Sequence, residues 1–81
     1  MPRFFFDSFD GTSTFADEEG LELKDVSAAK VAAQRVLPEM AREALPEENH
    51  RTYVVSVRNE QNQVVLRVAL SLVVEEGAVD V

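Results

Sequence analysis

Residues 63–75 keep a strict two-residue rhythm, and this constrains the fold more than any other feature of the chain. The even positions Val64, Leu66, Val68, Leu70 and Leu72 are uniformly apolar, while Val65, Arg67, Ala69, Ser71 and Val73 form a mixed set. Successive side chains of extended backbone point to opposite faces, so the even row predicts the core side of one long strand. A second alternating run precedes it. Over residues 52–58, Tyr53, Val55 and Val57 fall on one side, with Thr52, Val54, Ser56 and Arg58 on the other. Asn59-Glu60-Gln61-Asn62 between the runs is a polar turn, so the two strands form a hairpin.

The chain opens with a comparable unit. Residues 3–9 are rich in aromatics that suit a pleated, half-buried surface. Asp10-Gly11 supplies the positive φ of a tight turn, and residues 12–16, with Thr12, Thr14 and Phe15, predict the returning strand. The polar segment Asp17-Glu18-Glu19-Gly20 follows, and then Leu21-Glu22-Leu23 as a short extended piece.

A helix is expected next. Asp25 is a suitable N-cap, since its carboxylate can accept backbone N–H bonds at the positive end of the helix dipole. Ala29, Ala33, Val36, Leu37, Met40 and Ala44 recur at helical spacing, opposite Lys30, Gln34, Glu39, Arg42 and Glu43. Pro38 interrupts the pattern and predicts a kink near Leu37, because it removes one donor and crowds the preceding turn. The periodicity carries to Leu45, and Pro46 ends it. A second short helix beginning at Pro38 is the alternative. The expected class is therefore α+β, in the order strand-strand-helix-strand-strand. One kinked helix packs on one face of an antiparallel four-stranded sheet. Residues 1–75 form the single domain and 76–81 a flexible C-terminal tail.

Composition removes several function classes. At 46% hydrophobic and 28% charged, the chain is ordinary for a globular domain, which argues against disorder. There is no cysteine, so disulfides, thiolate metal sites and a Cys nucleophile are excluded, and a cytoplasmic location is expected. The N-terminal Phe4-Phe5-Phe6 run is too short for a secretory h-region, and the longest nearly apolar run, Val64 to Val74, is broken by Arg67 and too short to span a bilayer. The net charge is −7, and the bases Arg3, Lys24, Lys30, Arg35, Arg42, Arg51, Arg58 and Arg67 are scattered, a poor footprint for nucleic acid.

The opening Met1-Pro2-Arg3-Phe4-Phe5-Phe6-Asp7, the Asp10-Gly11 turn, the segment from Asp17 to Leu23, the Leu37-Pro38 step and Val65-Leu66-Arg67-Val68 together resemble a family of small bacterial proteins of unknown function. The resemblance covers nearly the whole chain. It implies a bacterial origin and the same fold order, and it carries over no catalytic residue. A looser topological likeness links the chain to antitoxin-type domains with a degenerate ribonuclease-H-like fold, although no DNA-binding segment is visible here.

No catalytic, cofactor or metal residue is assigned from the sequence. Threading Asp7, Asp10, Asp17, Glu18 and Glu19 onto a calcium-loop pattern places Phe6 at the first ligand position and Asp17 where a bidentate Glu belongs. Asp7, flanked by aromatics inside a strand, is expected to pair with Arg58 or Arg67. An acid–base role is the alternative. His50 is expected in a loop, and Ser8, Ser13, Ser27, Ser56 and Ser71 lack the context of an activated nucleophile.

One helix covers one face of such a sheet. The other face would carry Phe5, Asp7, Phe9, Val54, Arg58, Val65, Arg67, Ala69 and Val73, which form the candidate interaction face. The function expected is a non-enzymatic interaction or regulatory module that binds a protein partner and acts as a homodimer through this face or the edge of the last strand. The alternatives are an antitoxin-like acidic protein that neutralises a basic toxin, and a small enzyme using Asp7.

Overall fold

The computed structural model describes residues 1–43 and 47–80. Its elements are β1 (Arg3–Phe9), β2 (Thr14–Phe15), β3 (Leu21–Glu22), α1 (Val26–Glu43), β4 (His50–Arg58) and β5 (Val64–Val73). The class and the order agree with the expectation. The sheet is antiparallel throughout, in the order β2-β1-β4-β5, with β3 also paired to β1.

The sheet has five strands rather than four because the expected returning strand, residues 12–16, is broken. Only Thr14–Phe15 joins the ladder, opposite Ser8 and Phe9, and the short piece Leu21–Glu22 rejoins it opposite Arg3 and Phe4. Between these contacts the chain loops away from β1. Asp10 organises the turn, accepting the N–H groups of Thr12 and Ser13 at 2.9 and 2.8 Å on one carboxylate oxygen. Gly11 follows it with a φ of +94°.

The helix begins as its cap predicts. Asp25 Oδ1 accepts the Ala28 N–H at 2.9 Å, satisfying one of the donors that a helix start leaves unpaired. Pro38 lies inside a continuous α1, so the second-helix alternative is not realised. The expected end of the helix at Leu45 and Pro46 lies outside the described residues.

α1 packs across β4 and β5. Ala29, Ala33 and Leu37 are buried against Phe4, Tyr53, Val55 and Val57, with Phe6, Leu23, Met40, Leu66 and Val68 around them. The alanines let the helix approach closely, and the alternating residues of the central strand β4 supply most of the bulk. Val36, expected in the apolar stripe, instead sits at its exposed margin. Val64, expected inward, is also exposed. A bulge beside Val57/Arg58 pairs Val57 with Leu66 and Arg58 with Val64, skipping Val65, and so turns Val64 with Arg58 onto the face away from the helix. His50 begins β4 rather than lying in a loop.

Candidate functional site

The register assembles the expected interaction face. Phe5 lies opposite Arg58, Asp7 opposite Ser56 and Phe9 opposite Val54. On the far side of β4, Val54 meets Ala69 and Ser56 meets Arg67. Phe5, Asp7, Phe9, Val54, Arg58, Arg67, Ala69 and Val73 thus share the face turned from α1 by alternation along paired strands, and Val65 sits at the bulge.

This face divides into two unlike halves. On the β1 side, the Arg58 guanidinium forks onto Asp7. Nε donates to Oδ2 at 2.6 Å and a terminal nitrogen to Oδ1 at 3.1 Å, and the same guanidinium lies 4.9 Å from the centre of the Phe5 ring. Arg58 also donates to the Asp17 carbonyl and to Asn62 Oδ1, both at 2.9 Å. The Asp17 N–H donates to Asp7 Oδ1 at 2.9 Å. Both oxygens of Asp7 are thereby engaged.

Asp17 is the residue that sequence reasoning missed. Its carboxylate accepts the Phe6 N–H at 3.1 Å, on the flank of β1 where the returning strand is interrupted, and also the N–H groups of Glu19 and Gly20. It stands in for the missing strand. An Asp followed three positions later by Gly is the local signal of such a side-chain-closed turn, and it was available in the sequence.

The electrostatics follow this geometry. The Arg58 hydrogen bonds hold Asp7 below the usual carboxylate range, outweighing its partial burial. Burial pushes Asp17 up, but the N–H groups of Phe6, Gly20 and Glu19 more than offset it, so its pKa is also lowered. Asp10 is lowered by the Ser13 and Thr12 N–H groups. These carboxylates are fixed as anions and occupied by donors. Among the described residues, no group of three or more His, Asp or Glu is placed to hold a metal ion.

The β5 half is different. Arg67 reaches Ser56 Oγ at 3.0 Å, Thr52 and Ser71 hydroxyls meet at 2.9 Å, and the remaining side chains there are aliphatic. Val73 is 60% exposed, and exposure continues around the strand onto Leu70 at 38% and Val74 at 42%. β4 and β5 also run past the end of β1, which pairs only with residues 54–58, so the sheet narrows there to a two-stranded ribbon. On the helix side, an open cleft of about 320 Å³ is lined by Ser8, Asp10, Phe15, Met40 and Glu43 where α1 leaves the β1–β2 corner uncovered.

A family model described as a domain of unknown function (DUF6894) matches residues 3–71. The chain belongs to this family. The match spans every strand of the sheet and α1, from the start of β1 to Ser71 in β5, and includes Asp7, Asp17 and Arg58. No curated protein and no solved structure matches the chain. Among the described residues, no helix is long and apolar enough to cross a membrane.

Proposed function

We propose that this member of the family is a non-enzymatic interaction module that works as a homodimer, joined on the β5 side of its sheet. One observation carries the proposal. The aliphatic surface of the ribbon is exposed on both sides of β5, at Leu70, Val73 and Val74, and α1 and the N-terminal hairpin leave it uncovered. Exposed apolar surface on a projecting strand favours association, because burial removes it from water and pairing removes the open edge.

The non-enzymatic part is supported by where the ionisable groups go. Asp7, which had the best sequence context for acid–base work, accepts three N–H groups, two from the Arg58 guanidinium and one from the Asp17 backbone. A general base needs a free lone pair within reach of substrate.

Multi-angle light scattering at micromolar concentration tests the proposal. A mass twice that of the 9.0 kDa chain is expected, and the single-chain mass overturns it.

A further inference from the structure

We infer that two copies join edge to edge through β5, antiparallel, with Ser71 of each chain on the two-fold axis. This deepens the proposed dimer and rests on it.

The first support is the direction of the backbone groups. The Val74 N–H donates to the Asn49 carbonyl at 2.7 Å, so Val74 points its N–H toward β4. Donors alternate along a strand, so Leu72, Leu70 and Val68 also bond to β4, while Val73, Ser71, Ala69 and Arg67 turn their N–H groups outward. Those outward groups line an edge that no other strand of the described residues covers. The usual protections are missing from it. β5 is ten residues long, contains no proline, and carries one charge, Arg67.

The second support is what the register brings together. With Ser71 at the axis, each residue faces the one equally far on the other side. Leu70 then meets Leu72 of the second copy, Val68 meets Val74, and Ala69 meets Val73, covering the exposed aliphatic residues of the ribbon on both faces. The seam also falls where the sheet is only two strands wide. A narrow ribbon gains most from a new neighbour.

The third support is charge. Arg67 has no carboxylate within ion-pair distance among the described residues. In this register, continuing the alternation past the end of β5 places Glu75 of the second copy opposite it, and the symmetry makes that pair twice. Centring the axis near Arg67 would set two like charges face to face, a destabilising cross-strand pair. Edge pairing also makes the two open faces one continuous surface.

The test uses the absence of cysteine in the chain. Ser71→Cys gives a single thiol at the axis. Residues opposite each other in such a pair have Cα atoms about 5.5 Å apart, within disulfide reach. Mild oxidation should convert Ser71→Cys into a covalent dimer, while Val54→Cys, in the middle of the open face, should stay uncrosslinked. Ala69→Pro deletes an outward N–H and leaves the β4–β5 ladder intact, so its scattering mass should fall to that of one chain with an unchanged circular dichroism spectrum. Val54→Lys should keep the dimer mass.

Strong crosslinking at Val54→Cys, or dissociation by Val54→Lys, with a dimeric parent overturns edge pairing and leaves the proposed dimer standing. Dimer mass retained by Ala69→Pro does the same. A single-chain mass for the parent protein overturns both.

Discussion

At the scale of single residues, polar side chains hold the N-terminal half in place. β2 and β3 are two-residue strands with exposed side chains, and the chain between them leaves the ladder. Asp17 and Asp7 bridge that gap by accepting backbone N–H groups, and Arg58 ties both to β4. Asp7→Asn keeps the shape but removes the charge from this fork. The Asp7–Arg58 side chains are each about one-fifth exposed. Solvent screening therefore limits the loss to about 1–2 kcal/mol of unfolding free energy, measured by urea titration at neutral pH. The same groups set an acid limit. Asp7, Asp10 and Asp17 have folded pKa values below their ordinary one. Their contribution is therefore complete above the unfolded value of about 3.9 and is lost as pH falls below it toward the folded values. Thermal melts should show a fall in Tm on going from pH 6 to pH 3, and Asp7→Asn should make that fall shallower. Gly20 closes the Asp17 turn with a φ of +72°, and a Cβ there would lie 2.9 Å from the Phe4 carbonyl oxygen. Gly20→Ala should cost about 1–2 kcal/mol or more from the left-handed backbone alone.

At the scale of elements, the fully buried contacts of α1 with the sheet are one large side chain and two small ones, flanked by Met40 and Ala41. Leu37 is 2% exposed, and Ala29 and Ala33 are fully buried beside it. Leu37→Ala should cost about 2–5 kcal/mol by urea titration, a large share of the stability of a domain this size. The elements legible in the sequence were those whose period is long. The alternation of Tyr53, Val55 and Val57 and the Asp25 cap reported their structure directly, and the β5 rhythm reported a strand, although of its even row only Leu66, Val68 and Leu72 are partly buried while Val64 and Leu70 are exposed. The expected pairing of Asp7 with an arginine was correct, but its choice of Arg58 over Arg67 depended on register. Asp7 lies opposite Ser56, so Arg58 sits two residues along on the adjacent strand, while Arg67 lies one strand further away and bonds to Ser56 instead; the Asp17 carbonyl adds a further acceptor for Arg58. The broken second strand was hidden for a related reason. Thr12 and Thr14 carry strand propensity, but the four-residue span closed by the Asp10 side chain and the Asp10 N–H to Ser13 carbonyl bond delays the ladder to Thr14. The exposure of Val64 followed from a bulge, and periodicity carries no signal for an inserted residue.

At the scale of the whole molecule, the chain is extended for its length. Its radius of gyration is 14.8 Å, with principal extents of 51 × 25 × 19 Å. A compact chain of this size is expected near about 12 Å. β4 and β5 run on past the end of β1. The ribbon buries Tyr53 at its base but leaves Leu70 and Val73 open, and a two-stranded unit gains little from pairing alone. If a second copy covers it, folding and association are coupled, and the melting temperature becomes a function of concentration. Two chains unfolding together release an entropy near twice the single-chain value, so a tenfold rise in concentration should raise Tm by about 4 °C. Ala69→Pro should abolish that dependence and melt at one temperature throughout, below the parent. Val54→Lys should keep the slope even if its absolute Tm shifts, because a charge on the open face changes the stability of each chain without touching the edge. The slope separates association from folding in a way that a single melting temperature does not. A parent protein whose Tm stays constant over a hundredfold range of concentration would mean that the ribbon is stable alone, with its aliphatic residues open to water.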